Sequence, residues 1–94
     1  MRELFASESQ QDIIFITEAD VAGETDLLRQ RAHRLKGASY AFGAELLGDL
    51  AAEIERQIKA GQTDVADPIS RLDPLYKKTV FELERITQVG GARE

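Results

Sequence analysis

The residues of this chain with the clearest capacity for chemistry lie around His33, the single histidine among 94 residues. If the surrounding stretch is a helix, its apolar residues recur at spacings of three and four and form one stripe that must face a core. These residues are Leu28, Ala32, Leu35, Ala38 and Phe42. His33 comes two positions before Leu35, which corresponds to about 200° around a helix. The pattern therefore predicts an imidazole that projects into solvent.

The neighbours of His33 on this predicted helix suit a group that accepts an anion. A helical side chain leans over the preceding turn, so the residue four positions after the histidine would normally shade the ring, and here it is Gly37. A glycine inside a helix costs about 0.5–1 kcal/mol relative to alanine, and access for a second macromolecule would explain its presence. Lys36 adds an ammonium group on the same face. These features are what a reversible phosphoryl acceptor needs, although an ordinary surface histidine could have the same neighbours.

The stretch Ala32-His33-Arg34-Leu35-Lys36-Gly37-Ala38-Ser39, followed by Phe42-Gly43-Ala44 and by Leu47 to Glu55, resembles a known signature. It is similar to that of histidine-containing phosphotransfer (HPt) domains of multistep two-component relays. The family pattern is alanine, histidine, any residue, leucine or isoleucine, lysine, glycine, small residues, and a glycine six positions after the first. Each of these positions is met in this chain. The surrounding helical pattern extends the resemblance over about Leu4 to Ile86.

The resemblance implies a phosphocarrier that accepts a phosphoryl group on His33 from the aspartyl phosphate of a receiver domain and passes it to another receiver. The expected partners are response-regulator receiver domains and a sensor or hybrid histidine kinase. Such a carrier has no autonomous enzymatic turnover and no cofactor of its own, because Mg²⁺ is expected on the receiver. Two alternatives stay open: a helical adaptor that binds a receiver or kinase without being phosphorylated, and the phosphoacceptor domain of a chemotaxis-type kinase.

Further candidate binding residues surround the histidine. In HPt domains the position 22 residues after the histidine, here Glu55, often holds glutamine or an acid that faces the ring. A carboxylate there could accept a hydrogen bond from the imidazole and orient the other nitrogen for attack, or Glu55 could be one more solvated acid. Arg34 lies next to the ring and could help an acidic active site approach, and Tyr40 shares the exposed side of the helix with His33.

The run Ile13-Ile14-Phe15-Ile16 is the longest apolar run in the chain. Four consecutive helical positions span about 300° of the circumference, so they cannot all face one interior. A short bundle can leave a single isoleucine in water without consequence. We favour a second interpretation, in which Ile13 or Ile16 belongs to an apolar docking patch beside His33, because HPt domains dock partners through the first helix and the histidine helix.

The periodicity predicts four helices, over about residues 2–21, 25–42, 44–60 and 65–88. Gly23, Gly43 and Gly61 are placed to terminate the first three. Asp67-Pro68 and Asp73-Pro74 each pair a good N-cap with proline at a first helical position, so the last helix is expected to be kinked or split near Pro74. We therefore predict an all-α fold, an antiparallel up-and-down four-helix bundle that forms a single domain over residues 1–94.

The composition narrows the function classes. A formal net charge of −5 disfavours nucleic-acid binding. The chain has no cysteine, and one histidine without paired carboxylates argues against a metal site. Its longest apolar run is far shorter than the roughly 20 residues that span a bilayer. We expect a cytoplasmic monomer without a metal ion or a membrane contact.

Overall fold

The computed structural model describes the backbone of residues 2–62 and 64–92, and the side chains of residues 6–62, 64–82 and 85. Within these ranges the chain forms helices and no strand. The helices are α1 (Arg2–Ala22), α2 (Thr25–Ala41), α3 (Glu45–Lys59), α4 (Ala66–Ser70) and α5 (Leu72–Ala92). Because one residue separates α4 from α5, the two act as one bent fourth element. The described chain is an elongated bundle of 51 × 19 × 19 Å, and the predicted all-α four-helix bundle is confirmed.

The connection between α2 and α3 places the two central helices side by side. Gly43 has a φ of +79°, in the left-handed region that an L side chain adopts only with strain. The turn is closed by the N–H of Ala44, which donates to the carbonyl oxygen of Ser39 at 2.8 Å. The predicted terminators Gly23 and Gly61 have the same sign of φ. The reversal at Gly43 makes α2 and α3 antiparallel neighbours.

The fourth element is split before Pro74 rather than at it. The break falls at Arg71, and Pro68 and Pro74 are each the third residue of the helix that contains them. The predicted N-caps Asp67 and Asp73 lie inside their helices, because each helix begins two residues earlier than the Asp-Pro pattern suggests. In a first turn the missing proline N–H costs no internal hydrogen bond, since the first four N–H groups of a helix have no internal partner. Both prolines are therefore compatible with continuous helix after them.

The core is formed by one apolar stripe from each long helix. The α3 stripe has the clearest period, and its members Leu47, Leu50, Ala51, Ile54 and Ile58 are all buried. The α2 stripe contributes Leu28, Ala32 and Leu35, while Ala38 and Phe42 are partly buried against the core. Each fully buried Leu or Ile side chain contributes about 1.5–3 kcal/mol relative to exposure. This packing holds α2 rigidly and leaves its opposite face free for a site.

In the apolar run of α1, the residues predicted to lie at the surface are buried, and the other two are exposed. Ile13 and Ile16 are only 5% and 0% exposed, whereas Ile14 and Phe15 are 49% and 40% exposed. The prediction that Ile13 or Ile16 belongs to a surface patch is therefore wrong. Both isoleucines lie at helical spacings from Ser9, Asp12 and Ala19, which are also buried, and these five side chains form the inner face of α1.

Candidate functional site around His33

His33 lies midway along α2, and its side chain is 64% exposed. The residue four positions later, Gly37, faces open space, because a Cβ added there would meet no heavy atom within 4 Å. The rigid α2 helix thus presents the imidazole to solvent, with no neighbouring side chain above it on that turn.

Glu55 of α3 fixes one edge of the imidazole ring. Its Oε2 lies 2.9 Å from Nδ1 of His33, and its Oε1 accepts a hydrogen bond from Nζ of Lys36 at 2.8 Å. The Glu55 residue is only 4% exposed. Of the two alternatives for this acid, the structure has the one in which the carboxylate contacts the ring, and not the solvated one. α2 and α3 thus jointly position one histidine, one lysine and one carboxylate.

The charge state of Glu55 bears on which nitrogen of a neutral His33 ring carries the proton. Burial alone would raise the pKa of Glu55, but the interactions with Lys36, Lys59 and His33 outweigh burial and lower the pKa from 4.5 to about 2. The carboxyl group is therefore ionised at neutral pH and can only accept hydrogen bonds. Its contact assigns the proton to Nδ1 of His33, which leaves Nε2 of the neutral ring with a free lone pair. A neutral imidazole with this tautomer is a nucleophile at Nε2.

Arg34 and Tyr40, two candidates from the sequence, make contacts with the two helices on opposite sides of α2. The guanidinium group of Arg34 lies 3.8 Å from Asp12 and 4.0 Å from Glu8, both on α1. The hydroxyl of Tyr40 donates to Oδ1 of Asp49 on α3 at 2.6 Å. These contacts join α2 to the helices on either side of it.

Gly48 on α3 makes room for Tyr40. A Cβ added at Gly48 would lie 2.7 Å from two carbons of the Tyr40 ring, which is closer than real Cβ contacts come. The absence of a side chain at Gly48 therefore lets the aromatic ring lie directly on the α3 backbone. This contact brings α2 and α3 close together near the Gly43 turn.

Lys59 belongs to the site, although sequence reasoning missed it. Its Nζ lies 3.3 Å from Oε2 of Glu55, the oxygen that also faces His33. The signal that could have found it is the spacing of four residues between an acid and a cation on one predicted helix, since such residues are neighbours on the helix surface.

A second group that the sequence did not reveal lies between α1 and α2. The guanidinium carbon of Arg31 lies 4.4 Å from the centre of the Phe15 ring, a cation–π distance. Phe15, rather than Ile13 or Ile16, is therefore an exposed apolar side chain of α1 in contact with the histidine helix. Asp12 is buried beneath Arg31 and Arg34. Because Asp12 is polar, the pattern of apolar residues did not predict that it belongs to the inner face of α1.

The described residues offer neither a membrane-spanning helix nor a cluster of metal ligands. None of the helices in the described ranges combines the length and apolar character that a bilayer crossing requires. In the same part of the chain, no three His, Asp or Glu side chains gather as metal ligands would.

Comparison with known proteins identifies the class to which this fold and site belong. The Hpt domain family matches residues 1–89, so the chain belongs to the Hpt domain family, whose members act as phosphocarriers in phosphorelays. The chain is also similar to the phosphorelay protein LuxU from Vibrio vulnificus strains YJ016 and CMCP6. Each of these relatives is 27% identical over 77 residues, which cover 80% of this chain and 67% of the relative. No solved structure gives a significant match.

Proposed function

We propose that this protein carries a phosphoryl group on Nε2 of His33, accepting it from the aspartyl phosphate of one receiver domain and passing it to another. The observation that carries the proposal is the contact between Nδ1 of His33, whose side chain is 64% exposed, and the buried Glu55, because an ionised Glu55 favours the tautomer with Nε2 unprotonated. Membership of the Hpt domain family supports the same conclusion.

Acceptance begins with attack of the Nε2 lone pair on phosphorus. The N–P bond forms as the P–O bond of the aspartyl phosphate breaks, and the aspartate of the receiver leaves as a carboxylate. The proton on Nδ1 stays in place, so the ring becomes an imidazolium that the carboxylate of Glu55 stabilises. Lys36 supplies positive charge beside the ring. Positioning and charge neutralisation dominate phosphoryl transfer, and both are available here.

Donation uses the same proton. When the N–P bond breaks towards a second receiver, Nδ1–H remains on the ring, and the leaving group is a neutral imidazole rather than an imidazolate. A neutral leaving group departs far more readily, since it carries no excess charge. Glu55 therefore favours transfer in both directions, as a reversible carrier requires.

The partners in this proposal are receiver domains and the histidine kinase that supplies them. The receiver contributes Mg²⁺ and the acidic pocket around the reacting aspartate, so the carrier itself needs no cofactor and has no autonomous turnover. It acts as a monomer in the cytoplasm, where the kinase has access to ATP. Arg34 and Phe15 lie on the α1–α2 surface that an acidic, partly apolar receiver face would cover.

The test is transfer of labelled phosphate from a panel of phosphorylated receiver domains. Wild type and Gln30→Ala, which changes an exposed residue on the same helix, should acquire the label, and His33→Gln should not. Label on His33→Gln would show that another residue is the acceptor. A receiver that binds wild type without labelling it would favour the adaptor function instead.

A further inference from the structure

Lys59 adds a second positive charge to the His33 site, beside that of Lys36. The ammonium groups of Lys36 and Lys59 lie 2.8 Å and 3.3 Å from the two carboxylate oxygens of Glu55. Two cations and one carboxylate leave one positive charge in excess beside the neutral imidazole. In the resting protein this excess has no anion on Nε2 to balance it.

The two lysines flank the carboxylate from opposite ends. Because α2 and α3 are antiparallel, Lys36 lies on the side of Glu55 that is nearer to Gly43. Lys59 lies on the other side, four residues beyond Glu55 along α3. The side chain of Lys59 is 60% exposed, compared with 28% for Lys36. Lys36 is therefore held between the helices, whereas Lys59 can move on its flexible stem.

We propose that Lys59 is a second phosphoryl-binding cation, whose ammonium group binds the phosphoryl oxygens once His33 is phosphorylated while Lys36 stays on Glu55. This inference rests on the proposed function. An ammonium group has three donors, and Lys59 uses one in its contact with Glu55. A phosphoryl group brings nearly two negative charges and three acceptor oxygens. It can compete with Glu55 for Lys59, because the Oε2 atom that Lys59 contacts also accepts from His33.

The charge balance favours this arrangement. After transfer the site holds an imidazolium, a phosphoryl dianion, the Glu55 carboxylate and two ammonium groups, and it is neutral as a whole. Without Lys59 the phosphorylated site would keep one uncompensated negative charge. The alternative role is purely structural, in which the Glu55–Lys59 pair, four residues apart on α3, only stabilises the helix slightly.

The experiment uses phosphoramidate, a small P–N donor that needs no partner protein. The N–P bond to Nε2 forms as the P–N bond of the donor breaks and ammonia leaves. The variants are Lys59→Met, which removes the charge, Lys59→Arg, which keeps it, and Arg56→Met as a matched control. Arg56 is an exposed cation on the same helix, but it pairs with Glu53. The readout is the initial rate of phosphohistidine formation by ³¹P NMR, with thermal unfolding of each variant as a check on folding.

We expect Lys59→Met to lower the rate about three- to tenfold, and added salt to reduce the difference because the lysine is exposed. Lys59→Arg and Arg56→Met should stay within about twofold of wild type. A Lys59→Met rate within twofold of wild type, or above it, would overturn the role of Lys59 while phosphorylation of wild type still supports the carrier function. Failure of wild type to react at His33 with phosphoramidate and with every receiver would overturn both.

Discussion

Asp12 and Glu55 are both buried against α2, Asp12 from α1 and Glu55 from α3, yet their surroundings differ. Their residues are 2% and 4% exposed. Glu55 has three basic nitrogens within 3.3 Å, including Nδ1 of His33. The nitrogens nearest to Asp12 belong to Arg31 and Arg34, at 3.8 Å each. The buried Oδ2 of Asp12 has no hydrogen-bond partner among the described residues.

The two carboxyl groups consequently have opposite pKa shifts. Burial raises the pKa of Asp12 above 3.8, and the attraction of Arg34 and Arg31 only partly offsets it. Burial also opposes ionisation of Glu55, but close contacts with Lys36, Lys59 and His33 lower its pKa to about 2. The comparison shows that burial alone does not keep a carboxyl group ionised. Short, charge-assisted contacts turn Glu55 into a fixed partner for the histidine.

The largest expected difference between the two acids is in phosphoryl transfer. Glu55→Gln keeps an oxygen that can accept from Nδ1–H but loses the charge that stabilises the imidazolium, so the phosphorylation rate of His33 should fall about tenfold or more. Asp12→Asn should stay within about twofold of wild type, since Asp12 does not contact the ring. Phosphoramidate kinetics measure both. Equal losses in the two variants would mean that Glu55 acts only through the stability of the bundle.

A second contrast is expected in the free energy of unfolding at pH 7. Glu55→Gln removes hydrogen bonds to charged groups and should cost about 1–3 kcal/mol. Asp12→Asn removes a charge that burial disfavours, so stability should rise or stay within about 1 kcal/mol of wild type. Urea unfolding measures both changes. A larger loss for Asp12→Asn than for Glu55→Gln would reverse the comparison.

The pH dependence of stability should have opposite signs for the two acids. The pKa of Glu55 is lowered on folding, so its contribution is present above pH 4.5 and is lost as the pH falls towards about 2. The pKa of Asp12 is raised on folding, so its ionisation costs stability as the pH rises from 3.8 through the raised value. Unfolding titrations from pH 2 to 7 should show the Glu55→Gln deficit shrinking at low pH. The difference between Asp12→Asn and wild type should instead grow with pH.

The smallest expected effect concerns the α1 side of the histidine helix. Arg31→Met removes the cation above the partly exposed Phe15 and one of the two cations 3.8 Å from Asp12, and because both contacts are weak it should cost about 1 kcal/mol or less. The rate with phosphoramidate should not change, since the contacts of Arg31 are with Asp12 and Phe15 on α1. Thermal unfolding and the same kinetic assay check the two statements. A reduced phosphoramidate rate would show that the two sides of α2 are coupled.

The bundle itself could be predicted from the sequence because its signals are local. The period of the α3 stripe and glycines such as Gly43 define helices and turns without reference to tertiary contacts. The inner face of α1 could not be predicted in the same way. Two of its members, Ser9 and Asp12, are polar side chains that are buried. A pattern of apolar residues does not include buried polar side chains. The sequence therefore predicted that Ile13 or Ile16 is exposed, whereas the exposed residues are Ile14 and Phe15.

The candidate site was predictable only in part. The spacing of Lys36 and Gly37 around His33 follows from one helix, and the structure places them accordingly. The contact between His33 and Glu55 depends on how α2 and α3 pack, which the sequence alone left undecided between a bound and a solvated carboxylate. The place of Lys59 in the site depends on the same packing. Its spacing of four residues from Glu55 indicates a site residue only if Glu55 faces the ring.

The relation between His33 and Glu55 is tested most directly by NMR of the protein with ¹⁵N-labelled histidine. In the resting protein at neutral pH, Nδ1 should carry the proton and Nε2 should not. After phosphorylation, coupling to ³¹P should appear at Nε2 while Nδ1 keeps its proton. A resting ring protonated at Nε2, or phosphorus coupled to Nδ1, would contradict both the orienting role of Glu55 and the assignment of Nε2 as the nucleophile.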